Sequence, residues 1–251
     1  MTERPPPAAD ESLDQLTRDW WVYQLKRGHR FSTDDVVTAW TAGMARPDAR
    51  ALIDIGAGIG SVGLMCLHFM GPEAKSVFVE AQEVSHRLCR KSITANGLSD
   101  RVELRLGDLR DEDVIPESAA FDLVTGSPPY TPVDKGVVSP HPQRAACRME
   151  LRGSVFDYCT TAARLLKPDG TFVFVHAAAD RRPEQAIDAA GLVLNERRDI
   201  VFRDGRPPTI SVFKCSFTGT RQDAEPFIMR TIDGAWGPDR ERMREALGFT
   251  G

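Results

Sequence analysis

From residue 50 onward the chain alternates short apolar runs with amphipathic stretches, and this pattern constrains the fold of its 251 residues more than any other. The runs at 51–56 (ALIDIG), 76–80 (SVFVE), 101–108 (RVELRLGD), 121–126 (FDLVTG) and 171–176 (TFVFVH) read as strands. Residues 61–70, 81–97 and 153–170 carry helical spacing, and Asn96-Gly97 and Lys167-Pro168-Asp169-Gly170 supply helix stops. Strands that alternate with helices make βαβ units, whose right-handed crossovers cover both faces of a parallel sheet. Two longer strand candidates, 192–202 and 209–218, are separated only by RDGRPP and predict an antiparallel hairpin at the sheet edge. The expected fold is therefore α/β, with a mostly parallel seven-stranded sheet and an antiparallel edge hairpin.

The rest of the chain sets boundaries. Residues 1–16 are acidic and proline-rich and are expected to form a disordered leader. They lack the basic start and apolar core of a secretory signal, which predicts a cytoplasmic protein. Residues 17–49 read as a small extension: a hairpin over 20–31 turning at Arg27-Gly28, then a helix opened by Ser32 with an acidic first turn. No linker divides 50–251, which is expected to be one domain. No apolar run approaches the ~18 residues of a membrane span. The five cysteines form no C-x-x-C pair and have no histidine at metal spacing, so neither a metal nor a disulfide framework is expected. A net charge of -4 counts mildly against a nucleic-acid partner, although basic residues cluster at 26–30 and 144–152.

Chemistry enters at the strand ends. DIGAGIG occupies 54–60, between a strand and a helix, where glycines allow a tight turn and close approach of backbone amides to a ligand. The acids Asp54, Glu80 and Asp108 lie at the ends of three successive strands, as a nucleoside site at a sheet's carboxyl edge requires. A nicotinamide dinucleotide would also suit Glu80, but it leaves Asp54 unexplained. The D-x-G-x-G form resembles the first motif of the Rossmann-like class I methyltransferases that use S-adenosylmethionine.

The fourth strand stops abruptly in Ser127-Pro128-Pro129-Tyr130. Methylating an exocyclic amine is difficult because the nitrogen lone pair is delocalised into the ring. Acceptors that bind the amine hydrogens rehybridise the nitrogen and aim it. A serine oxygen and the Pro128 carbonyl can act as that pair, and the prolines remove competing amide donors. The Tyr130 ring can stack on a flat substrate. No strong base is needed, because the proton leaves after the nitrogen has become cationic.

SPPY resembles the [DNS]-P-P-[YFW] motif of amino-group methyltransferases. GHRFSTDDVVTAW (28–40), AARLLKPDGTFVFV, RPPTISVFKCSF and the tail EPFIMRTIDGAWGPDRERMREALGF are similar to segments of the bacterial tRNA (adenine-N6)-methyltransferases of the valine-tRNA type. That resemblance, from about residue 17 to the end, implies S-adenosylmethionine as cofactor, tRNA as partner, no metal, and a monomer. It assigns Ser127, Pro128 and Tyr130 to catalysis. It assigns Arg30, Phe31, Ser32, Asp54, Gly56, Gly58, Glu80, Ala81, Asp108, Leu109 and Ser127 to the cofactor. Pro129, Tyr130, Arg144, Arg148 and Arg152 are expected to meet the substrate, the arginines through its phosphates. One departure stands out: the family usually carries asparagine at position 127, and serine there is the habit of cytosine N4 enzymes. Cytosine N4, a protein glutamine N5 and a non-catalytic RNA-binding module therefore remain as alternatives to adenine N6.

Overall fold

The structure is a computed structural model that describes residues 4–134 and 141–249. Its centre is a sheet of seven strands in the spatial order β8-β9-β7-β6-β3-β4-β5. In chain order these are β3 (Ala51–Ile55), β4 (Lys75–Glu80), β5 (Val102–Leu106), β6 (Phe121–Gly126), β7 (Leu166–Ala177), β8 (Val193–Val201) and β9 (Ile210–Ser216). β3 to β7 run parallel, and β9 is antiparallel to both β7 and β8, as the edge hairpin predicts. Two short strands, β10 (Gln222–Asp223) and β11 (Phe227–Ile228), extend β8 in parallel.

Helices cover both faces. α1 (Thr33–Ala45), α2 (Ser61–Phe69) and α3 (Glu83–Ala95) pack on one side, with α7 (Pro238–Ala246) beside them. α5 (Val155–Leu165) and α6 (Arg182–Ala189) pack on the other. The strand alternation divides the two cores: Leu52, Val173 and Val175 face the first, while Ile53, Ile55, Phe172 and Phe174 face the second. From β3 the chain proceeds through β4 to β5, then returns to the opposite side of β3 with β6. This reversal leaves a crevice beyond the carboxyl ends of β3 and β6. The glycine loop follows β3 and SPPY follows β6, so the topology brings the two motifs together.

Three expectations change. β1 (Glu11–Gln15) pairs with β2 (Trp21–Leu25), so residues 11–15 of the expected leader form a strand, and the hairpin turns at 16–20 rather than at Arg27-Gly28. The hairpin is tied to α3: Tyr23 N donates to Ser92 Oγ, Trp21 N donates to Asn96 Oδ1, and buried Glu11 accepts bonds from Arg87 and Lys91. The second change is at β7, which begins at Leu166, so Lys167–Gly170 belongs to the strand, next to a register shift between Phe121 and Leu123. The third is a short helix, α4 (Pro142–Arg148), within what reads in sequence only as a basic cluster. Among the described residues no helix is long and apolar enough to cross a membrane, and no group of three or more histidine, cysteine or acidic side chains could hold a metal.

Candidate functional site

The glycine loop forms the floor of a cleft in the crevice. Gly56 and Gly58 have φ of 69° and 58°, backbone that favours glycine. A Cβ on Gly56 would lie 2.1 Å from the Tyr158 hydroxyl. A Cβ on Gly58 would point into open space, so here the glycine leaves room above the loop rather than relieving a clash.

Three carboxylates surround that loop, Asp54 and Glu80 buried and Asp35 half-buried. Asp54, at the end of β3, accepts from Gly63 N in the first turn of α2 (3.0 Å) and from the Thr125 hydroxyl on β6 (2.8 Å). It thereby links two strands to a helix N-terminus, where negative charge is favoured. Glu80 closes β4 and accepts from Gly58 N (2.8 Å) and Gln82 N (2.6 Å), which fixes the loop's height. Asp35 of α1 accepts from the Ser61 hydroxyl (2.6 Å) and Ser32 N (2.9 Å). Burial raises all three carboxyls, Asp54 to about 7. Burial likewise lowers His29, which shares the cleft wall, despite the nearby Asp35 charge.

Ser127 follows β6, and its Oγ is buried with no hydrogen-bond partner. Ser127 and Pro129 line the cleft. Tyr130 turns out of it. Its hydroxyl donates to Asp34 Oδ2 (2.7 Å), its ring lies 4.9 Å from that of His176, and its carbonyl accepts from Arg182 (3.2 Å). Arg182 is itself held by Asp180 and Glu150. His176 is fully buried, and burial lowers it to about 4, so it is a neutral ring in this packing. The turn is thus clamped from behind by α1, α6 and β7.

Residues 33–190, more than half of the chain, match the family described as the methyltransferase small domain. The chain belongs to the methyltransferase small domain family. The match runs from α1 to α6 and encloses the glycine loop, Glu80 and SPPY. Among curated proteins, this methyltransferase domain is similar to the tRNA1(Val) (adenine(37)-N6)-methyltransferase of Phocaeicola vulgatus, with 27% identity over 76% of this chain and 78% of that protein. It is similar to the protein of the same name in Shewanella sediminis, with 25% identity over 83% and 88%. Its fold matches that of a protein from Agrobacterium tumefaciens solved as a "predicted O-methyltransferase", with a TM-score of 0.67 and 17% identity over 86% of this chain and 97% of that one.

The methyltransferase domain brings Phe31, Asp54, Gly56, Gly58, Glu80, Ala81, Leu109, Ser127, Pro129 and Arg152 to one cleft, but not every residue expected there. Arg30 points away, donating to Ser12 and Asp14 on β1. Ser32 caps α1, its hydroxyl directed at Asp34. Asp108 is bonded through both oxygens to Arg110, which lowers its carboxyl, while its neighbours Gly107 and Leu109 line the cleft. Arg144 donates to the Gly28 carbonyl, and it and Arg148 are exposed outside the cleft. Pro128 is buried and is not among the residues that line the cleft. The cleft also uses residues that sequence reading missed, chiefly His29, Asp35, Cys147 and Tyr158. Only Asp35 carried a usable signal: it stands three residues after the N-cap Ser32, and its second oxygen was free to look elsewhere.

Proposed function

We propose that this chain transfers a methyl group from S-adenosylmethionine to the N6 amino group of an adenine in tRNA. The observation that carries the reading is Ser127 Oγ, a buried polar atom without a partner at the mouth of the glycine-loop cleft. Buried hydroxyls are rarely left unpaired, and this one faces where the target amine would sit. Among the described residues the Pro128 carbonyl also accepts no hydrogen bond.

The cleft suits the cofactor. The open space over Gly58 admits a ligand against backbone. Glu80 accepts from Gly58 N and Gln82 N, one on each oxygen, and lines the cleft, where a carboxylate can also accept from the hydroxyls of a ribose. When bound, the cofactor supplies a methyl group activated by a sulfonium. The chain's own part is orientation: Ser127 and the Pro128 carbonyl accept the two amine hydrogens, Pro129 bounds the base, and Arg152 sits at the rim for a phosphate. The names of the curated relatives favour tRNA and adenine over the alternatives. The reading carries with it a cytoplasmic, monomeric enzyme, since that is where tRNA is found and a single chain holds the whole cleft.

The test is nucleoside mass spectrometry of unmodified tRNA incubated with the protein and labelled cofactor. N6-methyladenosine is expected. N4-methylcytidine would transfer the reading to the cytosine enzymes, and labelled protein with unlabelled RNA would transfer it to glutamine.

A further inference from the structure

Beside the cleft lies a second hollow, between α1, the β1–β2 turn, β11 and α7. Its floor is apolar, made by Leu16, Val36, Met229, Met243 and Leu247. Three arginines, Arg230, Arg240 and Arg244, line it, and among the described residues no carboxylate does. In a chain of net charge -4 this is a local reversal of sign. Among the described residues Arg230 bonds only a carbonyl, that of Gly234, and Arg244 has no acidic partner; Arg240 pairs with Glu241.

The arginines are stacked on rings. The guanidinium carbons of Arg230 and Arg240 lie 3.4 and 3.5 Å from the Trp236 ring centroid. Two guanidinium groups at that distance cannot share a face, so they sandwich the indole. Arg244 lies over Phe249 at 5.2 Å. Trp236 is 46% exposed and Phe202 38%, and both border the hollow. Phe31 lines the hollow and the cleft alike, so the two spaces share one wall.

We propose that this hollow is a nucleotide-binding subsite, which holds a base next to the target base and its phosphate. An apolar floor with flat guanidinium and aromatic surfaces suits a base. Uncompensated arginines suit phosphate, to which they bond through two N–H groups at once. An acidic peptide would answer the charge but leave the stacked planes unused. The proposal rests on the tRNA reading for the identity of the strand, and the shared Phe31 wall is what sets the subsite beside the methylated base.

The experiment compares Trp236→Ala, Arg244→Glu, Arg244→Gln and a control on the same helix but outside the hollow, Arg242→Ala. Binding of an unmodified valine tRNA transcript and of a short oligoadenylate is measured by fluorescence anisotropy, with methyl transfer followed at saturating tRNA. Trp236→Ala is expected to weaken both ligands by roughly 5- to 100-fold, because it removes the ring that holds the Arg230 and Arg240 guanidinium planes in place for a base and its phosphate. Arg244→Glu, and the milder Arg244→Gln at this half-buried position of α7, should weaken both and reduce the salt dependence by about one phosphate contact. Transfer at saturation, cofactor affinity and the Arg242→Ala protein should stay as wild type. If the wild type methylates tRNA and the hollow variants bind like the control, the subsite is wrong and the tRNA reading stands. If the wild type binds oligoadenylate through the hollow but methylates no tRNA, the tRNA reading is wrong and the subsite stands. Failure of the wild type to bind either RNA overturns the subsite.

Discussion

Asp54 offers a direct measure of the charge buried under the glycine loop. Its carboxyl is 2% exposed, and burial raises it from 3.8 to about 7. Between those values the folded protein holds a proton that the unfolded chain has released. Stability therefore falls as pH rises through this window, and the penalty is complete above pH 7. At roughly 1.4 kcal/mol per unit over some three units, the cost is about 4 kcal/mol. Asp54→Asn removes the charge and keeps the shape. Its amide oxygen can accept from Gly63 N, and its NH2 can donate to the Thr125 hydroxyl, which both donates and accepts. Chemical denaturation of the cofactor-free proteins, from pH 4 to 8, should give equal stabilities near pH 4. The asparagine variant should then gain progressively, to an advantage of several kcal/mol at pH 8. Parallel profiles would refute the reasoning. They would show that the two hydrogen bonds, and not burial, decide the carboxyl's affinity for its proton.

Other substitutions follow from contacts that sequence reading did not anticipate. Glu80→Gln should weaken S-adenosylmethionine binding in calorimetry by ~1.5–3 kcal/mol, because its NH2 would oppose one of two backbone donors. Tyr130→Phe should lower unfolding stability by ~1–2 kcal/mol, since Asp34 loses the donor it meets at 2.7 Å; an unchanged denaturation midpoint would contradict this. Ser127→Ala should slow single-turnover transfer by roughly 10- to 1000-fold while leaving stability unchanged or slightly higher, because the deleted hydroxyl has no partner to lose. Ser127→Asn should retain transfer to adenine, and loss of it would favour a different target base.

What sequence could and could not reveal divides along the range of the interactions. The glycine loop, Asp54 and Glu80 are legible because their placement is local: a strand ends, glycines turn, and an acid closes the next strand. The segment 28–32 was legible in place but not in direction. His29 and Phe31 face the cleft, while Arg30 between them turns to Ser12 and Asp14. The partners of Arg30 lie on β1, and β1 is invisible in sequence because its residues are mostly polar. Its place depends on Glu11 meeting Arg87 and Lys91, 76 and 80 residues away. Asp108 differs for the opposite reason. Arg110, two residues on, captures both of its oxygens, a competition that strand-end position alone does not disclose. Tyr130 reads as a stacking platform from its place after two prolines. Asp34, His176 and Arg182 instead make it part of the clamp that holds the turn.

The same distances explain why net charge alone does not decide the partner. The chain carries -4 overall, yet its charge is sorted by depth and by face. Asp35, Asp54 and Glu80 lie under the glycine loop, where burial makes each harder to ionise. Desolvated negative charge of this kind is costly in the empty protein and would be offset by a cationic ligand such as the proposed sulfonium cofactor. Arg230, Arg240 and Arg244 stand on the far side of Phe31, around a hollow without a carboxylate. Phosphates approaching that face meet the arginines first. The acids face the cleft on the other side of the Phe31 wall, and fields between exposed charges fade within a Debye length of about 8 Å at physiological salt. An acidic total is therefore compatible with an RNA partner when the carboxylates serve the cofactor from below and the arginines serve the strand from outside.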